Sequence, residues 1–208
     1  MKGLIDFEPD AYYHLVNHAV GSESLFRNDD NYRYFLNKYA HYMPSVCSTI
    51  AYCLMPNHVH FLIKTHSENV LAIHPKYKKN FHKLVMQEWS NLLNAYAKAY
   101  NKVYERKGAL WIDYSKRFRI ESEIYLINVI NYIHQNPIKH GFVKNTSDWA
   151  HSSFNSLLSS KPTRLERDLV MQWFGNHAAF IEYHTEQTTQ LISEWEYKSQ
   201  GVLKSLQV

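Results

Sequence analysis

In the first half of the chain, apolar residues follow one spacing that is typical of helices and another that is typical of strands. Apolar side chains recur at helical spacing over Asp29–Met43 and over Phe81–Val103, which predicts two helices. Between these helices, two runs typical of strands flank the turn residues Pro56-Asn57. The pattern therefore predicts a β-hairpin whose strands are Cys47–Met55 and His58–Lys64.

The remaining predicted elements are shorter. Tyr12–Val20 is predicted as a first strand, and Trp111–Ile112 and Arg117–Ile120 as two short strands. A further helix begins after Ser122, a good N-cap residue. We expect this helix to stop at Asn136, because the proline that follows disfavours helical geometry in the residue before it.

The order of these elements predicts the fold class. Strands are connected by hairpins as well as by helices, which favours an α+β fold with an antiparallel sheet of the split βαβ type over a doubly wound parallel sheet. We predict one domain over residues 1–158. Residues 159–208 are charged and contain tryptophan, and we predict that they form a helical C-terminal extension.

Composition and charge narrow the classes of partner. The chain has 45% hydrophobic and 20% charged residues, as ordinary globular proteins do. Its net charge of +4 and pI of about 8.9 permit a polyanionic partner without demanding one. No apolar run approaches the length that crosses a bilayer, so we expect no membrane segment.

The two cysteines predict a reducing environment. Cys47 and Cys53 lie six residues apart on one predicted strand, so we expect both thiols on the same face and too far apart to form a disulfide. Buried free thiols in the cytoplasm are the ordinary interpretation of such a pair. No CxxC pair indicates a zinc knuckle.

His58 and His60 form the first pair of candidate functional residues. Side chains at positions i and i+2 of a strand share a face, so these imidazoles are predicted side by side, with Val59 and Phe61 directed into a core. Adjacent imidazoles make half of a divalent-metal site. Packed or surface histidines are the alternative explanation, and three residues alone do not decide between the two.

A second pair lies on the predicted helix that follows Ser122. Tyr132 and Asn136 are one turn apart on one helix face, and Gln135 borders that face. A tyrosine hydroxyl and an amide oxygen placed in this way can approach a metal held by the strand. The alternative is that Tyr132 fills the core and Asn136 merely ends the helix.

Taken together, the two segments resemble the HUH single-tyrosine transposases of the IS200 type, and most of all their branch of REP-associated tyrosine transposases. The resemblance covers about residues 12–157, and its specificity lies in the order and spacing of several short blocks. These blocks are Tyr13-His14-Leu15, Leu25-Phe26, Cys53–Ile63, Tyr100-Asn101, Gly108, Phe118, Tyr132–Pro137, Gly141-Phe142-Val143 and Trp149–Ser153.

The resemblance implies a fold and a set of site residues. It implies a ferredoxin-like antiparallel sheet with helices on one face and with both histidines on a central strand. His58, His60 and Asn136 would hold Mg²⁺ or Mn²⁺, with Gln135 as the alternate ligand, and Tyr132 would be the nucleophile. Related transposases carry a glutamine at the position of Asn136, and the REP-associated branch carries asparagine.

The implied activity is nicking and joining of single-stranded or hairpin DNA. Attack by tyrosine would give a 5′-phosphotyrosine bond and a free 3′-hydroxyl, and religation would need no ATP because the bond energy is kept. The protein would act as a monomer or a homodimer, in the cytoplasm of a prokaryote and in association with the nucleoid.

Candidate DNA contacts are basic residues outside the two motifs. Many members of the family carry an arginine near the end of the first strand, where this chain has Asn17-His18-Ala19. Phosphate contacts are therefore predicted elsewhere, although a solvated loop explains the lysines equally well. The candidates are Lys76, Lys78, Lys79, Lys83, Arg117 and Arg119.

Two alternatives to a transposase stay open at the level of sequence. The first is a domesticated relative that binds hairpin DNA without cutting it. The second is an unrelated metal hydrolase or RNA-binding protein with a similar sheet. A covalent protein–DNA adduct would exclude both.

Overall fold

The fold is taken from a computed structural model that describes residues 5–77 and 80–186. Four strands and six helices follow one another along this part of the chain, with short 3-10 turns between them. They are β1 (Tyr12–His18), α1 (Asp29–Tyr42), β2 (Cys47–Met55), β3 (His58–Thr65), α2 (Phe81–Val103), β4 (Lys116–Ile120), α3 (Glu123–Lys139), α4 (Phe154–Leu158), α5 (Arg167–Phe174) and α6 (His177–Glu186).

The four strands form one antiparallel sheet in the order β2-β3-β1-β4. β1 and β3 are the central strands, and His18 pairs with His58 where β1 ends and β3 begins. The first two helices connect β1 to β2 and β3 to β4, which is the ferredoxin-like, split βαβ connectivity. The predicted α+β fold class is confirmed. Trp111, predicted within a short strand, makes only an isolated bridge with Ala19.

Helices cover both faces of the sheet, so the prediction of helices on one face is wrong in this detail. α1 and α2 pack on the face that presents Tyr13, Leu15 and Phe61, as the ferredoxin-like fold requires. α3, α5 and α6 pack on the opposite face over Leu62 and the β2 side chains. The second face needs this cover because β2 and β3 also direct apolar side chains, such as Cys53 and Leu62, to it.

A β-bulge in β2 places the two cysteines on opposite faces, contrary to the sequence-based prediction. The pairing with β3 shifts register between Thr49 and Ala51, so β2 has one residue more than β3 at this point. The extra residue reverses the alternation of side chains along β2. Cys47 consequently joins the core beneath α1 and α2, whereas Cys53 joins the core beneath α3. Both thiols are buried and free.

α3 continues to Lys139, so the prediction that this helix stops at Asn136 is wrong. Pro137 has no amide hydrogen to donate to the carbonyl four residues earlier, so the helix continues through the proline with one hydrogen bond fewer. The helix then closes on two ordinary bonds, from the His140 amide to the Asn136 carbonyl and from the Gly141 amide to the Ile138 carbonyl. Asn136 therefore lies inside the helix, with its side chain in a defined direction.

The segment after α4 packs against the core through α5 and α6. Val170 and Phe180 are fully buried there among side chains of α3 and α4. The predicted helical extension is thus present up to residue 186, and the rest of it, residues 187–208, lies outside the described residues. Among the described helices, none is long and apolar enough to cross a membrane.

Candidate active site

A cleft of about 570 Å³ opens where β1 ends and β3 and β4 begin, beneath the C-terminal half of α3. It combines imidazoles, lysines, one tyrosine and one buried amide. Its lining consists of Val16, His18, Ser22, Glu23, Ser24, Pro56, Asn57, His58, His60, Lys116, Phe118, Tyr132, Asn136, Lys139, His140 and Phe142.

The alternation of β3 places His58 and His60 in this cleft. Val59 and Phe61 are directed into the core on the α1 and α2 side, as predicted, and the two histidines face α3. Both imidazoles are buried, with 5% and 3% of their surface exposed. They form an inner wall of the cleft and are not surface histidines.

Two further histidines from β1 lie beside this pair. His18 stacks on His58 with ring centroids 4.7 Å apart, and His14 stacks on His60 at 5.1 Å. The His14 Nε2 atom lies 3.0 Å from the His60 Nδ1 atom. The even spacing of His14 and His18 on β1 was the only signal in the sequence for their place here. It does not reveal their role, because the register that brings β1 against β3 is not a local property.

The surroundings keep these imidazoles neutral. Burial, together with the neighbouring His18 and His140, lowers the pKa of His58 to about 3, and a hydrogen bond with Asn136 partly opposes this shift. Burial lowers the pKa of His14 to about 3 and that of His60 well below its usual value. Neutral imidazole nitrogens can act as metal ligands at neutral pH.

α3 brings Tyr132 and Asn136 to the opposite side of the same cleft. The Tyr132 ring centroid is 5.7 Å from that of His60, and the Asn136 Nδ2 atom donates to the Tyr132 carbonyl at 2.9 Å. Burial raises the pKa of Tyr132, and a hydrogen bond with Asn136 lowers it in part. Tyr132 is half-buried and lines the cleft, so it does more than fill the core.

Two lysines that the sequence analysis missed supply positive charge. Lys116 begins β4 on the histidine face of the sheet, and Lys139 ends α3. The Lys139 Nζ atom lies 5.8 Å from the centroid of the Tyr132 ring. Burial lowers the pKa of each lysine.

Gln135, the alternate ligand, is directed away from the cleft. Its Nε2 atom donates to the main-chain carbonyl of His184 on α6. His134 next to it lies 2.9 Å from the His184 Nε2 atom and 2.7 Å from the Ser153 hydroxyl. This buried group, formed by His134, Gln135, Ser153 and His184, fixes the back of α3, so that Asn136 and not Gln135 lines the cleft.

The structure does not bring the two predicted DNA-contacting arginines to this cleft. Arg117 and Arg119 pair with Leu15 and Tyr13, so they lie on the opposite face of the sheet. Arg117 is buried and donates to the Ile5 carbonyl, and Arg119 forms an ion pair with Glu8.

Two of the four predicted lysines, Lys76 and Lys83, lie near the start of α2, which covers the face opposite the cleft. Both are exposed, and Lys76 lies over the ring of Tyr77 at 4.8 Å. Lys78 and Lys79 lie outside the described residues. A role in phosphate binding stays a prediction for these four lysines.

Known proteins similar to this chain include a relative in sequence and a solved structure, whereas no family model matches the chain. Over 110 residues, 51% of its length, the chain is 29% identical to a Haemophilus influenzae protein named as a REP-associated tyrosine transposase, and it covers 58% of that protein. In fold, 78% of the chain matches 89% of a solved REP-associated tyrosine transposase bound to a REP hairpin, with a TM-score of 0.59 and 16% identity. The chain is thus similar to REP-associated tyrosine transposases in sequence and in fold, which confirms the resemblance indicated by its motifs.

Proposed function

We propose that this chain binds hairpin DNA and cuts and rejoins a single strand beside the hairpin, with Tyr132 as nucleophile. The observation that carries the proposal is the convergence of Tyr132, Asn136, His58 and His60 on one cleft. These residues come from two motifs more than 70 positions apart in the chain, on a strand and on a helix. Packing alone gives no reason to bury a tyrosine, an amide and two imidazoles around a polar opening.

The donors present fit a divalent cation, and we propose Mg²⁺ or Mn²⁺. Within residues 5–77 and 80–186, the buried Nε2 atom of His60 has no hydrogen-bond partner, as expected of a nitrogen reserved for a ligand. The Nδ1 atom of His58 lies 2.8 Å from the Asn57 Oδ1 atom, so the proposed ligand atom of His58 is Nε2, where the cation would replace the hydrogen bond with Asn136. In the same residues no group of three His, Cys, Asp or Glu side chains is arranged for a metal. We propose Asn136 as the third protein ligand because it lines the same cleft as both histidines.

Two imidazoles and one amide oxygen leave several coordination positions for water and a phosphate oxygen. When bound, the cation would polarise the scissile phosphate and stabilise the negative charge of the departing 3′ oxygen. The neutral state of His58 and His60 suits this role, since a protonated imidazole has no lone pair to donate.

The protein's own part of the reaction is to hold the tyrosine beside the scissile phosphate. The Tyr132 oxygen attacks phosphorus and releases its proton to water, the bond from phosphorus to the 3′ oxygen breaks, and that oxygen takes up a proton from water. The products are a 5′-phosphotyrosine bond and a free 3′-hydroxyl, and the reverse attack by a 3′-hydroxyl rejoins a strand. Burial raises the pKa of Tyr132, whereas its hydrogen bond with Asn136 lowers that pKa and so favours the phenolate that forms during attack.

Hairpin DNA is the proposed substrate because the matching solved transposase is bound to a REP hairpin. The cleft supports this choice through Lys116 and Lys139, whose charges complement phosphate. The curated relative supports the transposase class, although this chain covers only 58% of its length.

Covalent capture tests the proposal directly. A radiolabelled hairpin with unpaired flanks, taken from the DNA beside the coding region, is incubated with the protein and Mn²⁺ and resolved on a denaturing gel. Wild type should form a protein–DNA adduct and release a 3′-hydroxyl end, Tyr132→Phe should bind the hairpin without an adduct, and Tyr125→Phe should act like wild type. Tyr125 is the matched control because it lies on α3 but outside the cleft.

The outcomes separate the proposal from its alternatives. An adduct formed by Tyr132→Phe would show that another tyrosine attacks. Hairpin binding by wild type without any adduct would instead favour a non-cleaving DNA-binding protein. If wild type neither binds the hairpin nor forms an adduct, an unrelated function for the same sheet would be favoured.

A further inference from the structure

One large aromatic residue at the mouth of the cleft is exposed. Phe142 lines the same cleft as Tyr132 and His58, yet 50% of its surface is open to solvent. An exposed phenylalanine costs solvation free energy, and this one lies where a substrate would enter.

The backbone around Phe142 holds the ring in a fixed position. Gly141 adopts a positive φ of 73°, which turns the chain sharply after α3. The Phe142 amide then donates to the Pro137 carbonyl at 2.9 Å, so the residue is tied to the last turn of the helix that carries Tyr132. The side chain is therefore presented by a closed turn and not by a long loop.

Trp149 supports the ring from behind. The centroids of the Phe142 and Trp149 rings are 5.5 Å apart, and the Trp149 indole donates to the Leu54 carbonyl of β2 at 3.2 Å. Because the tryptophan is anchored to the sheet, the phenylalanine has a rigid base on one side and solvent on the other. Such a ring loses little conformational entropy when a flat ligand stacks on it.

The charges around Phe142 favour a nucleic acid as that flat ligand. Lys116 and Lys139 line the same cleft, and the acidic residue there, Glu23, is paired with Arg106 at 2.7 Å. Aromatic rings combined with lysines that follow a phosphate backbone are typical of sites for single strands. A base within a duplex has both faces covered by its neighbours, so an unpaired base is the suitable partner.

We propose that Phe142 is a stacking platform for one unpaired nucleobase of the DNA strand, next to the phosphate that Tyr132 attacks. The proposal rests on the function proposed above and adds a position at which the single-stranded part of the substrate is held. Stacking on Phe142 fixes the strand relative to α3, and so brings the phosphate towards the tyrosine on the same helix.

Abasic scanning of the DNA tests this platform. Binding of a fluorescent hairpin with an unpaired flank is measured by anisotropy for wild type, Phe142→Ala and Phe142→Trp. A stacked base contributes about ten-fold in affinity, so Phe142→Ala should bind about ten-fold more weakly and Phe142→Trp within about two-fold of wild type. Tyr34→Ala is the control, since Tyr34 is an exposed aromatic residue on α1, on the other face of the sheet.

Removal of single bases identifies the partner of Phe142. An abasic nucleotide at one flank position should weaken binding by wild type about ten-fold and leave binding by Phe142→Ala unchanged. If every abasic position weakens both proteins equally, or if Phe142→Trp binds as weakly as Phe142→Ala, the stacking proposal is wrong. The stacking proposal is also wrong if the abasic position whose effect depends on Phe142 lies in the paired stem of the hairpin.

Failure of the platform differs from failure of the proposed function. If wild type binds the hairpin and Phe142→Ala binds equally well, only the stacking proposal is lost. If wild type does not bind the hairpin, both proposals are lost.

Discussion

The imidazoles of His14 and His60 lie side by side across the two central strands, with the His14 Nε2 atom 3.0 Å from the His60 Nδ1 atom. This contact engages the Nδ1 atom of His60 and leaves its Nε2 atom, which has no hydrogen-bond partner among the described residues, for another ligand. Partners of this kind hold a metal-binding histidine in one tautomer and one orientation. His14 is therefore a positioning residue for the proposed cation site.

Substitution of His14 should weaken cation binding. We expect His14→Gln to lower the affinity for Mn²⁺ at least ten-fold, because loss of an orienting partner typically costs 10- to 100-fold in metal affinity. Calorimetric titration of the purified protein with Mn²⁺ measures this effect, with circular dichroism as a check of the fold. His41→Gln, an exposed histidine on α1, should bind like wild type, and equal affinities of the two variants would contradict the role of His14.

The salt dependence of DNA binding should identify the lysines that contact phosphate. For single strands, each lost contact lowers the slope of log affinity against log salt by about 0.7. We expect the Lys116→Gln, Lys139→Gln double variant to lower the slope by about 1.4, and the Lys76→Gln, Lys83→Gln double variant to leave it unchanged. The opposite result would favour the loop before α2, as the sequence analysis proposed.

Acid should destabilise the protein through its buried histidines. Burial lowers the pKa of His184 from 6.5 to about 4, so between these pH values the unfolded chain binds a proton that the folded chain does not. The stabilisation that comes from the neutral state of His184 is complete above pH 6.5 and is lost as the pH falls towards 4. At pH 5 the free energy of unfolding is already lower by about 2 kcal/mol.

Urea unfolding at pH 7.5 and pH 5 measures this loss. His184→Gln should have a lower free energy of unfolding at pH 7.5 but should lose less of it on acidification than wild type. His41→Gln should follow the wild-type profile, since His41 is exposed. If His184→Gln and wild type lose equal stability between the two pH values, the imidazole is not held neutral as described.

Truncation of one buried ring on α6 should destabilise the whole core. Phe180 is fully buried, so Phe180→Ala should lower the free energy of unfolding by about 3–5 kcal/mol. Its neighbour Ile181 has 46% of its surface exposed, and Ile181→Ala should change stability by less than about 1 kcal/mol. Equal effects in urea unfolding would mean that α6 does not pack as described.

Local patterns were sufficient for most elements and for the first half of the site. The bounds of β2 and α2 agree with the prediction, and β3 differs by one residue, because strong periodicity and turn residues define them. His58 and His60 share a face because alternation within one strand is a local property. Tyr132 and Asn136 share a face for the equivalent reason on a helix.

The errors arise where distant parts of the chain decide the outcome. The bulge near Thr49, which separates Cys47 from Cys53, depends on pairing with β3. The face of Arg117 depends on the register with β1, and the contribution of His14 depends on β1 lying against β3. No window of neighbouring residues contains this information.

The buried contacts behind α3 have a consequence for the order in which the protein is made. His184, which fixes His134 and Gln135, lies about 50 positions after them in the chain. A ribosome therefore finishes the helix that carries Tyr132 well before it makes the residue that fixes that helix. We expect a nascent chain to gain a rigid cleft only once α6 has left the exit tunnel, so that the proposed reaction would start only after α6 has been made.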